Sequence, residues 1–236
     1  MRHVRFPVLL VSVWLLSACS GTYHAYKSMI KLAMDANVDV VLSYSDIDSA
    51  NYDYLYVQRG DNRRIAMGLM YIENSQLKWL SADNSMLVTR NGRIIRSIGL
   101  QNDLLHLTNM ESDPLRSPLA ITDSSSWLRL ADWGSGEYGY QIRSVFKLEL
   151  NHSLNFFGNT VPVIKLTETL HYDNNANFLR FDDEWQNVYW LDAKTGRVLK
   201  SSQQLSPGAE RFELVFISEV VRQLKVAGIA VAAEAK

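Results

Sequence analysis

Ser85-Met86-Leu87-Val88-Thr89-Arg90-Asn91-Gly92-Arg93-Ile94-Ile95-Arg96-Ser97-Ile98 decides the fold. Two runs of β-branched and aliphatic residues flank Asn91-Gly92, the pair best suited to a two-residue turn in which both positions take positive φ. The stretch therefore reads as a β-hairpin. The same period of two extends in both directions. Tyr52, Tyr54 and Tyr56 alternate before a turn at Gly60-Asp61-Asn62, and Ile65 to Ile72 is apolar on both faces, as a central strand would be. Glu73-Asn74-Ser75 turns into Leu77-Lys78-Trp79. Downstream, Ile142, Phe146, Leu148 and Leu150 alternate with Arg143, Lys147 and Glu149. Ile164, Leu166, Leu170 and Tyr172 repeat the pattern, as do Leu179, Phe181, Trp185, Tyr189 and Leu191, with Asp173 to Asn177 as the link between these two strands. Asp192 to Gly196 turns into Val198 to Leu205, with Gly196 at the left-handed position, and Arg211 to Val221 suits either a last strand or a short helix.

About ten to twelve strands on short turns, with no helices for parallel crossovers, predict an all-β, mainly antiparallel domain, either a sandwich or a distorted barrel. One N-terminal helix precedes it. Tyr26, Met29, Ile30, Ala33 and Met34 recur with helical spacing between Thr22 and Asn37. Asn109 to Ser126, with Pro114, Pro118 and three consecutive serines, reads as a long surface loop.

The N-terminus carries an address. Arg2 and Arg5 precede an apolar run from Phe6 to Leu16 that is too short to span a bilayer but suits a secretory signal. The run ends in Leu16-Ser17-Ala18-Cys19, which resembles the bacterial lipobox, and Cys19 is the only cysteine of the chain. The expected organisation is a lipoprotein signal peptide at 1–18, a lipid-anchored start and amphipathic helix at 19–36, a single β domain at 37–226 and a flexible tail at 227–236. Processing removes Arg2 and Arg5 and leaves 218 residues, with 22 basic against 25 acidic side chains and a net charge of −3. Ser20 stands where an Asp would retain a lipoprotein in the inner membrane, which favours the outer membrane and a periplasm-facing domain.

The composition narrows the chemistry. Of the 236 residues, 47% are hydrophobic and 21% charged, and the net charge is −1, which leaves no basic excess for a nucleic acid. One cysteine permits neither an intramolecular disulfide nor a cysteine-rich metal cage. His106, His152 and His171 show no zinc spacing, and the serine run at 124–126 lacks the Gly-x-Ser-x-Gly elbow. No metal, cofactor or catalytic residue is implied. Glu168 falls on the apolar face of its strand, with Asp183 near it if the hairpin closes through 173–177. Three readings stand: a carboxylate pair suited to glycoside cleavage, a buried Glu paired with an arginine such as Arg129 or Arg180, or a barrel lumen with water in it. The aromatics Trp133, Tyr138, Tyr140, Trp185 and Trp190 are candidates for glycan or partner contact, with Gly134 to Gly139 as a flexible edge between Trp133 and Tyr140. The same rings would equally fill a large β core.

Three features together resemble the YjbF/GfcB group of capsule and exopolysaccharide lipoproteins: the lipobox start, Asn91 to Leu100, and Trp185 to Asp192 followed by Thr195-Gly196-Arg197-Val198 and Ser201 to Gln203. Ile95 and Arg96-Ser97 depart mildly from the pattern of the first block. The resemblance covers most of the mature chain. It implies an accessory role in making or exporting a surface polysaccharide, beside an outer-membrane β-barrel and a periplasmic partner. It assigns no catalytic residue.

Overall fold

The computed structural model describes residues 38–173 and 183–229. The signal peptide, Cys19, the helix expected before Asn37, the linking turn after Asp173 and the last seven residues lie outside the described residues. The segments read as strands, with β6 and β7 added to them, make twelve strands among the described residues: β1 (Tyr54–Arg59), β2 (Ile65–Glu73), β3 (Gln76–Leu80), β4 (Met86–Arg90), β5 (Arg93–Ile98), β6 (Leu104–Leu107), β7 (Ser126–Trp133), β8 (Glu137–Phe156), β9 (Asn159–Tyr172), β10 (Glu184–Asp192), β11 (Val198–Gln204) and β12 (Arg211–Val215). Every ladder is antiparallel, in the order β5-β4-β3-β2-β1-β12-β11-β10-β9-β8-β7-β6. Two meanders, β1–β5 and β6–β12, thus join where the first and last strands pair.

The sheet's two edges, β5 and β6, are consecutive in the chain and lie side by side. Ser97 Oγ accepts from the Leu104 amide and donates to Asp103, both at 2.9 Å, while the Asp103 carboxylate takes the amides of Gly99 and Leu100 at 3.0 Å. Side chains thus bridge the seam that strand hydrogen bonds leave open, and the sheet is a nearly closed barrel. The alternative of a sandwich falls away.

Gln203 completes the edge from across the interior. Its Oε1 accepts from the Ile94 amide at 3.0 Å, and its Nε2 donates to the Gly92 carbonyl at 2.8 Å. One side-chain amide therefore satisfies the donor and acceptor that a neighbouring strand would have met. The inward faces form the core, with Leu55, Met67, Trp79, Ile94, Ile142 and Leu214 all below 3% exposed. Each such side chain contributes roughly 1.5–3 kcal/mol by leaving water.

Among the described residues two α-helices accompany the sheet, the single-turn α1 (Tyr44–Asp48) and α2 (Ile217–Val226). The segment that suited strand or helix is both, β12 and then α2. Gly228, at φ +66°, ends α2, with Ile229 N donating to Leu224 O across the reversal. Because α2 lies against β1, that strand is buried on both faces. Leu55 and Val57 point into the core, and Tyr54 and Tyr56 point outward, with the Tyr54 amide on Ser218 Oγ at 2.8 Å and the Tyr56 hydroxyl accepting from the Leu42 amide at 2.7 Å. The outer half of β2 is less buried than its apolar run predicts, since Tyr71 and Ile72 reach a hairpin tip and are 61% and 67% exposed.

Residues 109–125 lie largely on the surface, as their composition predicts, but they are anchored rather than loose. Three single 3₁₀ turns, Met110–Ser112, Pro114–Arg116 and Pro118–Ala120, fold this segment inward, and Leu115 and Ile121 are buried against Trp127, Phe146, Leu166 and Tyr189. Each of the last two turns begins with a proline, whose fixed φ and missing N–H suit a first helical position. The residues that read as irregular are the ones that build the plug.

Candidate functional site

The two blocks of sequence that carry the family resemblance lie about a hundred residues apart, and the barrel brings them into contact. At Asn91 and Gly92 φ is +50° and +82°, the turn conformation their types predict. A Cβ on Gly92 would stand 2.5 Å from Val198. Glycine is thus required there twice, by the backbone and by the neighbour. Gly196, at φ +71°, backs onto Leu119 and Pro118 of the plug, where a Cβ would meet them at 3.0 and 3.2 Å. Asp192 shapes this second turn by accepting from Thr195 N and Oγ1 at 2.7 Å and from Lys194 N at 3.1 Å.

Beneath this junction, Arg93 enters the barrel. Its Nε and Nη2 form a fork on Asp113 at 2.8 and 3.1 Å, and its Nη1 reaches Glu168 at 2.6 Å and the Tyr189 hydroxyl at 3.0 Å. Glu168 also accepts from Ser144 Oγ at 2.6 Å, and Arg129 joins through Ser144 at 2.7 Å and Glu168 at 3.5 Å. The Tyr189 hydroxyl donates to Glu168 at 3.2 Å, and both guanidinium groups lie over the Trp127 ring, at 4.6 and 4.1 Å. No charged member of the network is more than 4% exposed.

The electrostatics follow from burial and pairing. Burial alone would raise Glu168, but Arg93 and Arg129 outweigh it and hold the carboxyl below its usual range. Burial would lower Arg93, yet Asp113 and Glu168 raise it well above the ordinary arginine value. Arg129 differs. Burial pulls it down to about 10, repulsion from Arg93 adds to this, and Glu168 offsets only part. Its Nε has no hydrogen-bond partner among the described residues. Tyr189 is pushed far up by burial. Because Asp113 sits in the plug and also caps Leu115 N at 3.0 Å, the network clamps residues 109–125 to the barrel wall.

A groove of about 530 Å³ opens above the clamp. Ile72, Leu77 and Val198 give it an apolar floor backed by the buried Trp79 and Phe216, and Arg116, Arg197 and Arg222 stand on its rim with Asp53 and Glu219. It lies between the Asn91-Gly92 turn, the plug, the 195–198 turn and the start of α2, so both blocks line it.

The residues expected to make contacts do not form one surface. Trp133 and Trp185 are 1% and 6% exposed and lie in the core, where Trp133, Tyr140, Tyr172 and Trp185 pack ring against ring at 5.2–6.3 Å. Tyr138 is 66% exposed. Trp190 lies on the outer face, paired with Lys165 in register and with Lys200 Nζ 4.8 Å from its ring centre. The Gly134–Gly139 stretch is a closed hairpin turn rather than a loose edge: Gly134 N donates to Asp103 O at 2.8 Å, Ser135 N to Asn102 Oδ1 at 3.0 Å and Gly139 N to Asp132 Oδ1 at 2.7 Å. Cys19 and Arg180 lie outside the described residues.

Glu168 has the arginine partners of the second reading, Arg129 as anticipated and Arg93 as not. Asp183 is no partner to it. Asp183 stands beside Tyr172, four positions along β9 from Glu168, which at about 3.3 Å per residue is roughly 13 Å away. Sequence reading gave no role to Arg93, Asp113 and Gln203, whose contacts span 20, 75, 96 and 109 positions; Arg93 and Gln203 lie in the blocks that carry the resemblance, but no local pattern names their partners. Among the described residues no His, Cys, Asp and Glu cluster could hold a metal, and no helix is long and apolar enough to cross a membrane.

Fold and site together define a small, nearly closed meander barrel with an arginine–carboxylate clamp inside it and a groove at the clamp's outer end. The chain belongs to the family described as "Group 4 capsule polysaccharide lipoprotein gfcB, YjbF", whose model matches residues 27–217. It is similar to two uncharacterized lipoproteins of Escherichia coli K12. With GfcB it shares 34% identity over 84% of this chain and 92% of that one, and with YjbF 29% identity over 87% and 93%. The crystal structure of the hypothetical lipoprotein YmcC, also from Escherichia coli K12, superposes with a TM-score of 0.66 at 36% identity, covering 74% of this chain and 88% of that one.

Proposed function

We propose that the protein is an outer-membrane lipoprotein, anchored through Cys19 and facing the periplasm, that acts as a non-catalytic accessory in capsule or exopolysaccharide assembly or export. It works beside an outer-membrane β-barrel and periplasmic proteins of the export system. A lipidated Cys19 would hold it durably, since each buried methylene contributes about 0.8 kcal/mol and such anchors carry more than one chain.

The observation that carries the non-catalytic part is the state of the barrel's ionisable groups. General acid–base catalysis needs a group that reaches substrate and titrates near the working pH. Glu168 is fully buried and held low by Arg93 and Arg129, and Tyr189 is equally buried and held high. Neither exchanges a proton near neutrality. Their partners tie the plug to the wall, which is an architectural task. Family membership supports the capsule-related part.

Deletion of the gene, complemented with the wild-type chain or with Cys19→Ala, tests the reading. Surface polysaccharide should fall on deletion and return only with the wild type, while Cys19→Ala should lose fatty-acid labelling and outer-membrane fractionation. Unchanged polysaccharide in the deletion strain would sink the accessory role.

A further inference from the structure

The groove's rim has more hydrogen-bond donors than acceptors. Glu219 Oε2 already accepts from Arg197 Nη1 at 3.2 Å and from Arg222 Nε and Nη2 at 3.0 and 2.8 Å, while its Oε1 takes Gln223 at 2.7 Å. Asp53 is engaged by Arg222 Nη1 at 2.7 Å. Arg222 therefore has all three nitrogens occupied. Arg197 uses only Nη1, and Arg116 uses only Nη1, on the Glu111 carboxylate at 2.7 Å and the Glu111 carbonyl. The Nε and Nη2 edges of Arg116 and Arg197 have no protein partner among the described residues, and these side chains are 45% and 64% exposed. That edge of a guanidinium has the shape and charge to grip a carboxylate or phosphate with two parallel hydrogen bonds.

The floor asks for something different. Trp79 and Phe216 pack edge to face at 6.1 Å in the core behind it, and Ile72, 67% exposed, presents the apolar surface of the groove with the half-buried Leu77 and Val198. A ligand that suits both must offer apolar C–H faces and an acidic substituent on one rigid frame. A volume near 530 Å³ lies within the range of roughly 300–1,000 Å³ typical of small-molecule sites, and it would accept a segment of about two or three sugar rings.

We propose that this groove binds a short stretch of acidic polysaccharide, with the acidic groups on Arg116 and Arg197 and the sugar faces on the apolar wall of Ile72, Leu77 and Val198. The inference rests on the accessory reading above and names the site by which the protein would meet its glycan. Arg222, Asp53 and Glu219 are positioning residues, because their mutual pairs fix where Arg197 stands. The aromatic hairpin at Trp133–Tyr140 has no part in it.

Calorimetric titration of the anchored protein in detergent tests the site with three probes: a linear trimer of galacturonic acid, maltotriose and inorganic phosphate. The acidic trimer should bind at least about tenfold more tightly than maltotriose or phosphate, and its affinity should fall as salt rises. The double variant Arg116→Gln/Arg197→Gln should lose about tenfold or more for the acidic trimer with an unchanged melting temperature, since both side chains are exposed. Equal binding of maltotriose would overturn the proposal. So would undiminished binding by the double variant, phosphate binding as well as the trimer, or no binding of the trimer at millimolar concentration. A double variant that instead loses co-purification of an export protein, with no trimer binding in the wild type, would mark the groove as a protein contact and equally overturn it. Polysaccharide output separates the two proposals. A deletion without effect defeats the accessory role whatever the titration gives, whereas output that falls on deletion but not in the double variant confines the failure to the groove.

Discussion

Two sets of arginine–carboxylate pairs, one inside the barrel and one on the groove rim, do different work. Inside the barrel, Arg93, Arg129, Asp113 and Glu168 are at most 4% exposed, and their pairing is close to complete. On the groove rim, Arg116, Arg197 and Arg222 are 45–64% exposed and two of them keep unengaged nitrogens. Residue types are shared, so burial makes the difference. A buried charge must be matched on the spot, and once matched it holds the chain together but cannot greet a ligand. A half-exposed pair contributes little to stability and keeps donors available for a partner. The interior set is therefore architecture and the rim set is contact surface.

The largest test of that contrast is Arg93→Met. It would leave Asp113 and Glu168 buried without their principal cation, and stability measured by urea unfolding should fall by about 3–5 kcal/mol. Replacing Asp113 and Glu168 by Leu and Arg129 by Met in the same chain, so that no buried charge is left unmatched, should recover much of the loss. If Arg93→Met costs no more than Arg197→Gln, the division between clamp and rim fails.

A comparable loss tests the two aromatics that flank the Gly134–Gly139 turn. Trp133→Ser should cost about 3–5 kcal/mol through the void it leaves among Tyr140, Tyr172 and Trp185, whereas Tyr138→Ser should stay within about 0.5 kcal/mol. Equal and small effects would return Trp133 to the list of contact residues.

Gly92→Ala comes next, at about 2–3 kcal/mol, from positive φ and from the clash with Val198. Val198→Ala added to it should relieve the clash but leave the backbone strain. Full rescue would show that contact alone demanded glycine.

The smallest effect is a slope. Glu168 is held below its unfolded value, so its contribution is present above the unfolded carboxylate range and is lost as pH falls through its depressed folded value. Stability measured against pH should therefore fall in acid, and the fall should be shallower in the variant whose clamp is replaced by Met and Leu. The rim variant Arg197→Gln should keep the wild-type slope. Identical acid slopes in all three would detach the clamp from the acid response.

Much of the fold was legible along the chain. Alternation marked most of the strands, though not β6 or β7, because a strand with one wet face must repeat every two residues, and Asn91-Gly92 and Gly196 marked turns because their backbones tolerate positive φ. The plug was not legible. Pro114, Pro118 and the serines have the composition of a loop, and only the packing against Trp127, Phe146, Leu166 and Tyr189 shows that Leu115 and Ile121 turn inward. Aromatic content alone could not separate Trp133 from Tyr138, which lie five positions apart and are 1% and 66% exposed.

By itself the sequence determined the address expected at Cys19, the all-β class, the turns and the family, because each is written in neighbouring residues. Barrel closure over a sandwich, the clamp and the groove were decided only in three dimensions. Gln203 reaches the backbone of Gly92 and Ile94, Arg93 reaches Glu168 and Tyr189, and Val198 presses on Gly92, across 75 to 111 positions of chain. A side chain's local pattern tells which face of its strand it takes. Whether a charge on that face is paired, strained or free depends on what the opposite wall supplies, and that is set by how the sheet curls upon itself.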